Sequence, residues 1–136
     1  MFSGGFLSFL KKFFVLFSLG ASLYSLIEVL WRGFTHWSMS LAGGLCMCGI
    51  YVTNDRFKGT SDAERCFLCS LMITVIEFIT GVIMNIGLGM KIWDYSKRPF
   101  NILGQICLLY SFFWFLLSFP AISICNFLRE KVFDKM

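Results

Sequence analysis

From Cys66 to Met90 the chain runs for 25 residues with a single charged side chain, Glu77. A helix of that length rises roughly 37 Å, more than the roughly 30 Å hydrocarbon core of a bilayer. This run excludes most ways a short chain can fold, and it is not alone. Three further apolar segments cover about Phe13 to Trp31, Trp37 to Thr53 and Leu103 to Phe127. The totals agree: 57% of residues are hydrophobic and only 15% charged, against about 45–50% and about 25% in soluble domains. Seventeen Phe in 136 residues carry more apolar area than so small a soluble domain could cover. The expectation is an all-α membrane protein, one domain over residues 1–136, built as a bundle of four transmembrane helices.

The second segment is the weakest of the four. Gly43, Gly44 and Gly49 lower its helix propensity, and its place as a span rests on the charged loops either side. The loop from Asn54 to Arg65 ends in Ser61-Asp62-Ala63-Glu64, a helix start in which the Ser hydroxyl caps and Glu64 reaches back. Lys11 and Lys12 before an apolar run raise the question of a signal peptide. That run contains Glu28 and ends in Trp31-Arg32 without a small-residue cleavage site, so it reads as a retained helix.

Four spans put both termini on one side. Eight Lys and Arg then share that side (Lys11, Lys12, Arg56, Lys58, Arg65, Arg129, Lys131, Lys135), and four lie opposite (Arg32, Lys91, Lys97, Arg98). Cations concentrate in cytoplasmic loops, so both termini are expected in the cytoplasm of a multi-pass protein of the bacterial plasma membrane. The net charge of +4 is spread over segment ends. It suits lipid headgroups rather than nucleic acid, for which no reader motif is present.

Polar residues inside the segments fall on helical stripes. Ser18, Ser22, Ser25 and Glu28 share one face, and Ser70, Thr74, Glu77, Gly81 and Met84 another. Gly104, Cys107, Ser111, Ser118 and Cys125 form a third. Glu77 lies roughly 16 Å along its segment, near mid-bilayer, where an acidic side chain costs about 2.5–3.5 kcal/mol on insertion scales. It must face the bundle interior and find a donor, with Ser25, Cys107, Tyr110 and Ser111 as candidates. Its role is either an interhelical hydrogen bond or a site for a proton, ion or solute. Glu28 has Arg32 four residues on, which suffices for a local ion pair.

Between the last two segments lies the chemically diverse stretch Trp93 to Cys107. Trp93 and Tyr95, with Trp31 and Trp37, suit an interfacial aromatic belt, and the stretch is expected to fold back over the bundle mouth. Asp94 is placed to bond backbone N–H groups of a turn, while Pro99 and Asn101 suit a turn and a helix start. Glu28, Glu77, Asp94, Tyr95 and Asn101 are the candidate ligand-binding residues.

The remaining signals carry little chemistry. Cys46-x-Cys48 and Cys66-x-x-Cys69 resemble a zinc pattern, but all six Cys lie in or beside apolar segments, where Cys serves as a small hydrophobe. His36 stands alone, with no Ser/His/Asp arrangement around it, and no P-loop motif is present. No enzymatic activity, metal or cofactor is expected. A weak internal repeat pairs Leu26-Ile27-Glu28-Val29-Leu30 with Val75-Ile76-Glu77-Phe78-Ile79. Two parallel two-helix repeats therefore stand beside a plain bundle as the finer arrangement, and transporters often bind solutes at such repeat interfaces.

Trp93-Asp94-Tyr95-Ser96-x-x-Pro99-Phe100-Asn101-x-x-Gly104-x-Ile106-Cys107-Leu108 resembles the signature of the CmpB-like family of small bacterial membrane proteins, labelled ABC-transporter permeases. Glu77-Phe78-x-Thr80-Gly81 is similar to that family's Glu-Tyr-x-Thr-Gly, and Glu28-Val29-x-x-Arg32 to its first helix. The chain departs from it at Gly43-Gly44-Leu45-Cys46-Met47-Cys48-Gly49, where the family carries Gly-Pro-x-Cys-Pro-x-Tyr-Gly. The resemblance implies a transport component, a permease-like subunit that self-assembles as a homo-oligomer or recruits a separate ATPase subunit. A membrane interaction or scaffold protein that moves nothing is the alternative.

Overall fold

The structure, a computed structural model, describes residues 2–135. The chain forms α1 (Phe2–Arg32), α2 (Trp37–Arg56) and α3 (Asp62–Gly81), which a π-helical turn (Val82–Gly87) continues. A loop then carries a two-residue antiparallel hairpin, β1 (Asn101–Ile102) with β2 (Ile106–Cys107), and leads into α4 (Leu108–Lys131) and a 3-10 turn (Phe133–Lys135).

The helix ends follow local chemistry. Gly33, at φ +85°, stops α1 and its N–H returns to the Val29 carbonyl at 2.8 Å, the left-handed stop that glycine allows. His36 caps α2 through Nδ1, which accepts from the Ser38 N–H at 3.2 Å. Ser61 caps α3 as expected, its hydroxyl accepting from the Glu64 N–H. Two boundaries differ from expectation. α1 begins at Phe2, because nothing in residues 2–12 stops a helix. α4 begins at Leu108 rather than near Leu103, because Leu103 (φ 54°) and Gly104 (φ 73°) are both left-handed and cannot join a right-handed helix.

Three of the helical segments are long and apolar enough to cross a membrane: Gly5–Arg32, Asp62–Gly87 and Leu108–Lys131. α2, expected as a fourth, is not among them. The reason lies in its packed side. α2 packs against α1, α3 and α4, and Ser38, Gly43, Gly44 and Asn54 on that packed side lower its hydropathy, although Trp37, Leu41, Leu45 and Val52 still face outward. Its contact with α1 is closest at Gly20 and Gly43. A Cβ on Gly20 would run into Met47 Cβ and the Gly43 carbonyl, and one on Gly43 into Tyr24 Cβ. Small residues of this kind let helices approach in lipid, where packing replaces the hydrophobic drive.

The end that holds both termini is closed by a polar latch. Asn54, 1% exposed, donates through Nδ2 to Asn126 Oδ1 at 2.8 Å and accepts from Arg65 Nη1 at 2.7 Å. Asp55 pairs with Arg129 at 3.3 Å. Helices α2, α3 and α4 are thereby tied together beside a core of Leu16, Met47, Ile50, Ile73, Ile122 and Leu128. Cys66, Cys69 and Cys125 fill that core as free thiols.

The stripes on α3 and α4 turn inward: Ser70, Glu77, Gly81, Met84, Cys107, Ser118 and Cys125 are all buried. The serine stripe on α1 does not. Ser18 and Ser22 are exposed, and the inward face reads Leu16, Gly20, Tyr24, Glu28 at four-residue intervals. Gly20 must face α2, and that fixes the rotation of the whole helix.

Candidate functional site

At the end opposite the latch, two buried carboxylates sit in a layer of aromatic rings. Glu28 and Glu77 are each 7% exposed. On α1, Tyr24 Oη donates to Glu28 Oε1 at 2.9 Å, and Arg32 Nε lies 2.9 Å from Glu28 Oε2. The three side chains are four residues apart on one face, so the helix itself assembles them. Arg32 also reaches across to the loop, donating to the Ile92 carbonyl at 3.2 Å.

Glu77 is served from two other elements. Tyr95 Oη donates to Oε2 at 3.1 Å and Trp114 Nε1 to Oε1 at 3.3 Å. Both donors are neutral, and among the described residues no Lys, Arg or His pairs with Glu77. Burial, and then the Glu77 carboxylate, hold the Tyr95 phenol well above its usual pKa, so it remains a donor. The Tyr24 and Trp114 rings lie 5.8 Å apart and bring the two carboxylate groups into one layer.

The loop is held down over this layer, as the sequence suggested. Trp93 is buried, and its Nε1 donates to the Gln105 carbonyl at 2.9 Å. Gln105 Oε1 accepts from Asn85 Nδ2 at 2.8 Å, and Asn85 Oδ1 accepts from the Ile92 N–H at 2.7 Å. Asn85 sits in the π-helical turn, whose altered register aims it at the loop. Tyr95 stacks on Tyr110 at 4.8 Å, and the Arg98 guanidinium lies 5.1 Å from the Tyr110 ring centre.

Of the five candidate residues, Glu77 and Tyr95 touch each other and Glu28 joins them through the Tyr24–Trp114 pair. Asp94 and Asn101 do not reach the carboxylates. Asp94 is exposed; its Oδ1 accepts from the Ser96 N–H at 2.9 Å, and that bond holds its carboxyl below the usual range. Asn101 begins β1, not a helix, and ties the turn: its Oδ1 accepts from the Gly104 N–H at 3.0 Å, and its Nδ2 donates to the Arg98 carbonyl at 2.8 Å. Tyr24 and Trp114 were not singled out beforehand, nor were Asn85 and Gln105 in the loop's support. Among the described residues none of the donors first considered for Glu77 bonds it, and Cys107 is buried as a free thiol. Ser25 bonds Ser40, Ser111 Oγ bonds Thr74 Oγ1 at 2.9 Å, and Tyr110 stacks under Tyr95.

A cleft of about 290 Å³ opens beneath the layer. All four helices line it, with Tyr24 and Ile27 from α1, Gly43 and Cys46 from α2, Glu77 and Thr80 from α3, and Trp114 and Leu117 from α4. Trp93 of the loop also lines it. Among the described residues, Glu77 is the only charged side chain in the lining.

No solved structure matches this chain. The family described as "Putative ABC-transporter type IV", the CmpB family, matches residues 7–136. Those residues include both carboxylates, the loop, α2, α3, α4 and α1 from Leu7 onward, and the chain belongs to this family.

Proposed function

We propose that the chain is a permease-like transport component whose intramembrane site is centred on Glu77. In this reading all four helices cross the bacterial plasma membrane, with both termini cytoplasmic, and the two hairpins α1–α2 and α3–α4 act as parallel repeats. The chain catalyses no reaction itself. As a permease-like subunit it acts with a separate ATPase subunit or as a homo-oligomer. The observation that carries this reading is the cleft, which reaches a buried carboxylate from between four helices. The family description supports a place among ABC-transporter components. A specific observation also favours the second reading, a scaffold that moves nothing. The cleft lining is apolar apart from a few side chains, and neutral donors already serve both Glu77 oxygens.

Water access separates the two readings. In a cysteine-free background, Thr80→Cys places a thiol in the cleft, Ser96→Cys one in the loop and Lys58→Cys one in the α2–α3 connection. A charged, membrane-impermeant thiosulfonate applied to intact cells should label positions 96 and 80 and leave 58 untouched until the membrane is opened. Labelling of 96 without labelling of 80 from either face would overturn the transport reading and leave the scaffold. Labelling of 58 from outside would overturn the orientation.

A further inference from the structure

The charges near the loop end do not balance in the same way on the two carboxylates. Glu28 is neutralised by Arg32, while Glu77, equally buried, has only a phenol and an indole. A carboxylate oxygen accepts more than one hydrogen bond, so after Tyr95 and Trp114 each Glu77 oxygen keeps acceptor capacity. Around it the cleft presents the rings of Tyr24, Trp93 and Trp114, contributed by three different elements. Aromatic faces attract cations, most strongly where water is excluded.

The rest of the lining limits what such a cation can be. Ile27, Met39, Ile73, Ile76, Leu117 and Ile124 offer no oxygen ligands. A hydrated metal ion needs six or more oxygens to replace its shell, and an anion would face the carboxylate. The volume of about 290 Å³ stands near the lower end of small-molecule pockets, roughly 300–1,000 Å³. We infer that the cleft binds a hydrophobic organic cation, its charged nitrogen between Glu77 and the Tyr24, Trp93 and Trp114 rings and its apolar body among the helices. This inference rests on reading Glu77 as a solute site, and it names the class of solute.

Two probes of the same shape test it. Benzyltrimethylammonium and its carbon isostere neopentylbenzene differ only in charge. Binding is measured to the full chain in dodecyl maltoside micelles, which carry neither charge nor amine, with empty micelles subtracted. The expected result is saturable binding of the cation, tighter than the neutral isostere by about tenfold, the scale of a desolvated cation–π contact. Glu77→Gln should weaken binding of the cation while leaving that of the neutral probe unchanged, so that only the preference supplied by the three rings remains. Equal affinities in the wild-type chain, or a preference for the neutral probe, would overturn the proposal. That comparison stands even if the Gln variant fails to fold.

Adding phosphatidylethanolamine identifies the source of the nitrogen. Competition assigns it to a lipid headgroup and no competition to a free cation, and either result upholds the cationic class. The outcomes also separate this inference from the reading beneath it. Cation preference with position 80 closed to water would overturn transport and keep the ligand. Position 80 open with no cation preference would do the reverse.

Discussion

Glu28 and Glu77 belong to different hairpins, and the connections of those hairpins account for their different surroundings. α1 and α2 are joined by residues 33–36 alone, so the first hairpin has no spare chain with which to cover a carboxylate. It uses the helix repeat: Tyr24 and Arg32 lie one turn to either side of Glu28. The second hairpin has residues 88–107 to spend between its helices. That loop folds inward and supplies Tyr95, while the facing helix supplies Trp114. A local solution gives a closed ion pair. A solution drawn from distant elements gives a carboxylate with neutral partners, on the wall of a cleft. Burial is the same in both cases, so burial alone does not mark a site; the sign and origin of the partners do.

The comparison can be broken most severely at Arg32. Arg32→Met leaves Glu28 buried without a counter-charge, which should cost about 3 kcal/mol. The loss should appear as a lower thermal midpoint in detergent and be largely restored by adding Glu28→Gln. If Arg32→Met is silent, the first carboxylate is not held by its pair and the contrast fails. Glu77→Gln should matter far less to folding, within about 1 kcal/mol. The amide oxygen can accept from Trp114 while the amide nitrogen donates to the Tyr95 hydroxyl, so each partner keeps a bond. A large loss of stability in this variant would show that Glu77 is as tightly paired as Glu28.

The smallest effect is expected at Asp94, which is exposed. Its carboxyl is held below the usual range by the Ser96 N–H, so its contribution to the turn is fully present above about pH 4. That contribution is lost only as pH falls through the lowered folded value. The Ser96 amide resonance should stay constant down to about pH 4 and move below it. Asp94→Asn should abolish that movement with no change at the Glu77 layer.

Sequence reading succeeded where one residue type is costly in its surroundings. Glu77 could be found because a charge in an apolar run has to be answered, and its stripe partners followed from helical spacing. The donors could not be found in the same way. Trp114 lies in Phe112-Phe113-Trp114-Phe115, where an indole has no contrast with its neighbours. Tyr24 was hidden by a serine stripe of equally good periodicity, and only the packing of Gly20 against Gly43 decides between the two faces. The start of α4 was missed because Leu103 has no side-chain feature that announces a left-handed residue. α2 was read as weak because its packed face carries Ser38, Gly43, Gly44 and Asn54, small and polar residues that make close contacts and bring little apolar surface.

The π-helical turn from Val82 to Gly87 has a consequence for chain length. A π turn holds one residue more than the α-helix around it needs. Deleting a residue there would return the segment to plain α-helix and change the angle at which Asn85 leaves the rod. The grip of Asn85 on Gln105 and Ile92 would then be lost, while Glu77, which precedes the turn, would keep its place. One surplus residue thus uncouples the two tasks of a single rod, so that its first part is indexed to the helices beside it and its last turn to the loop above.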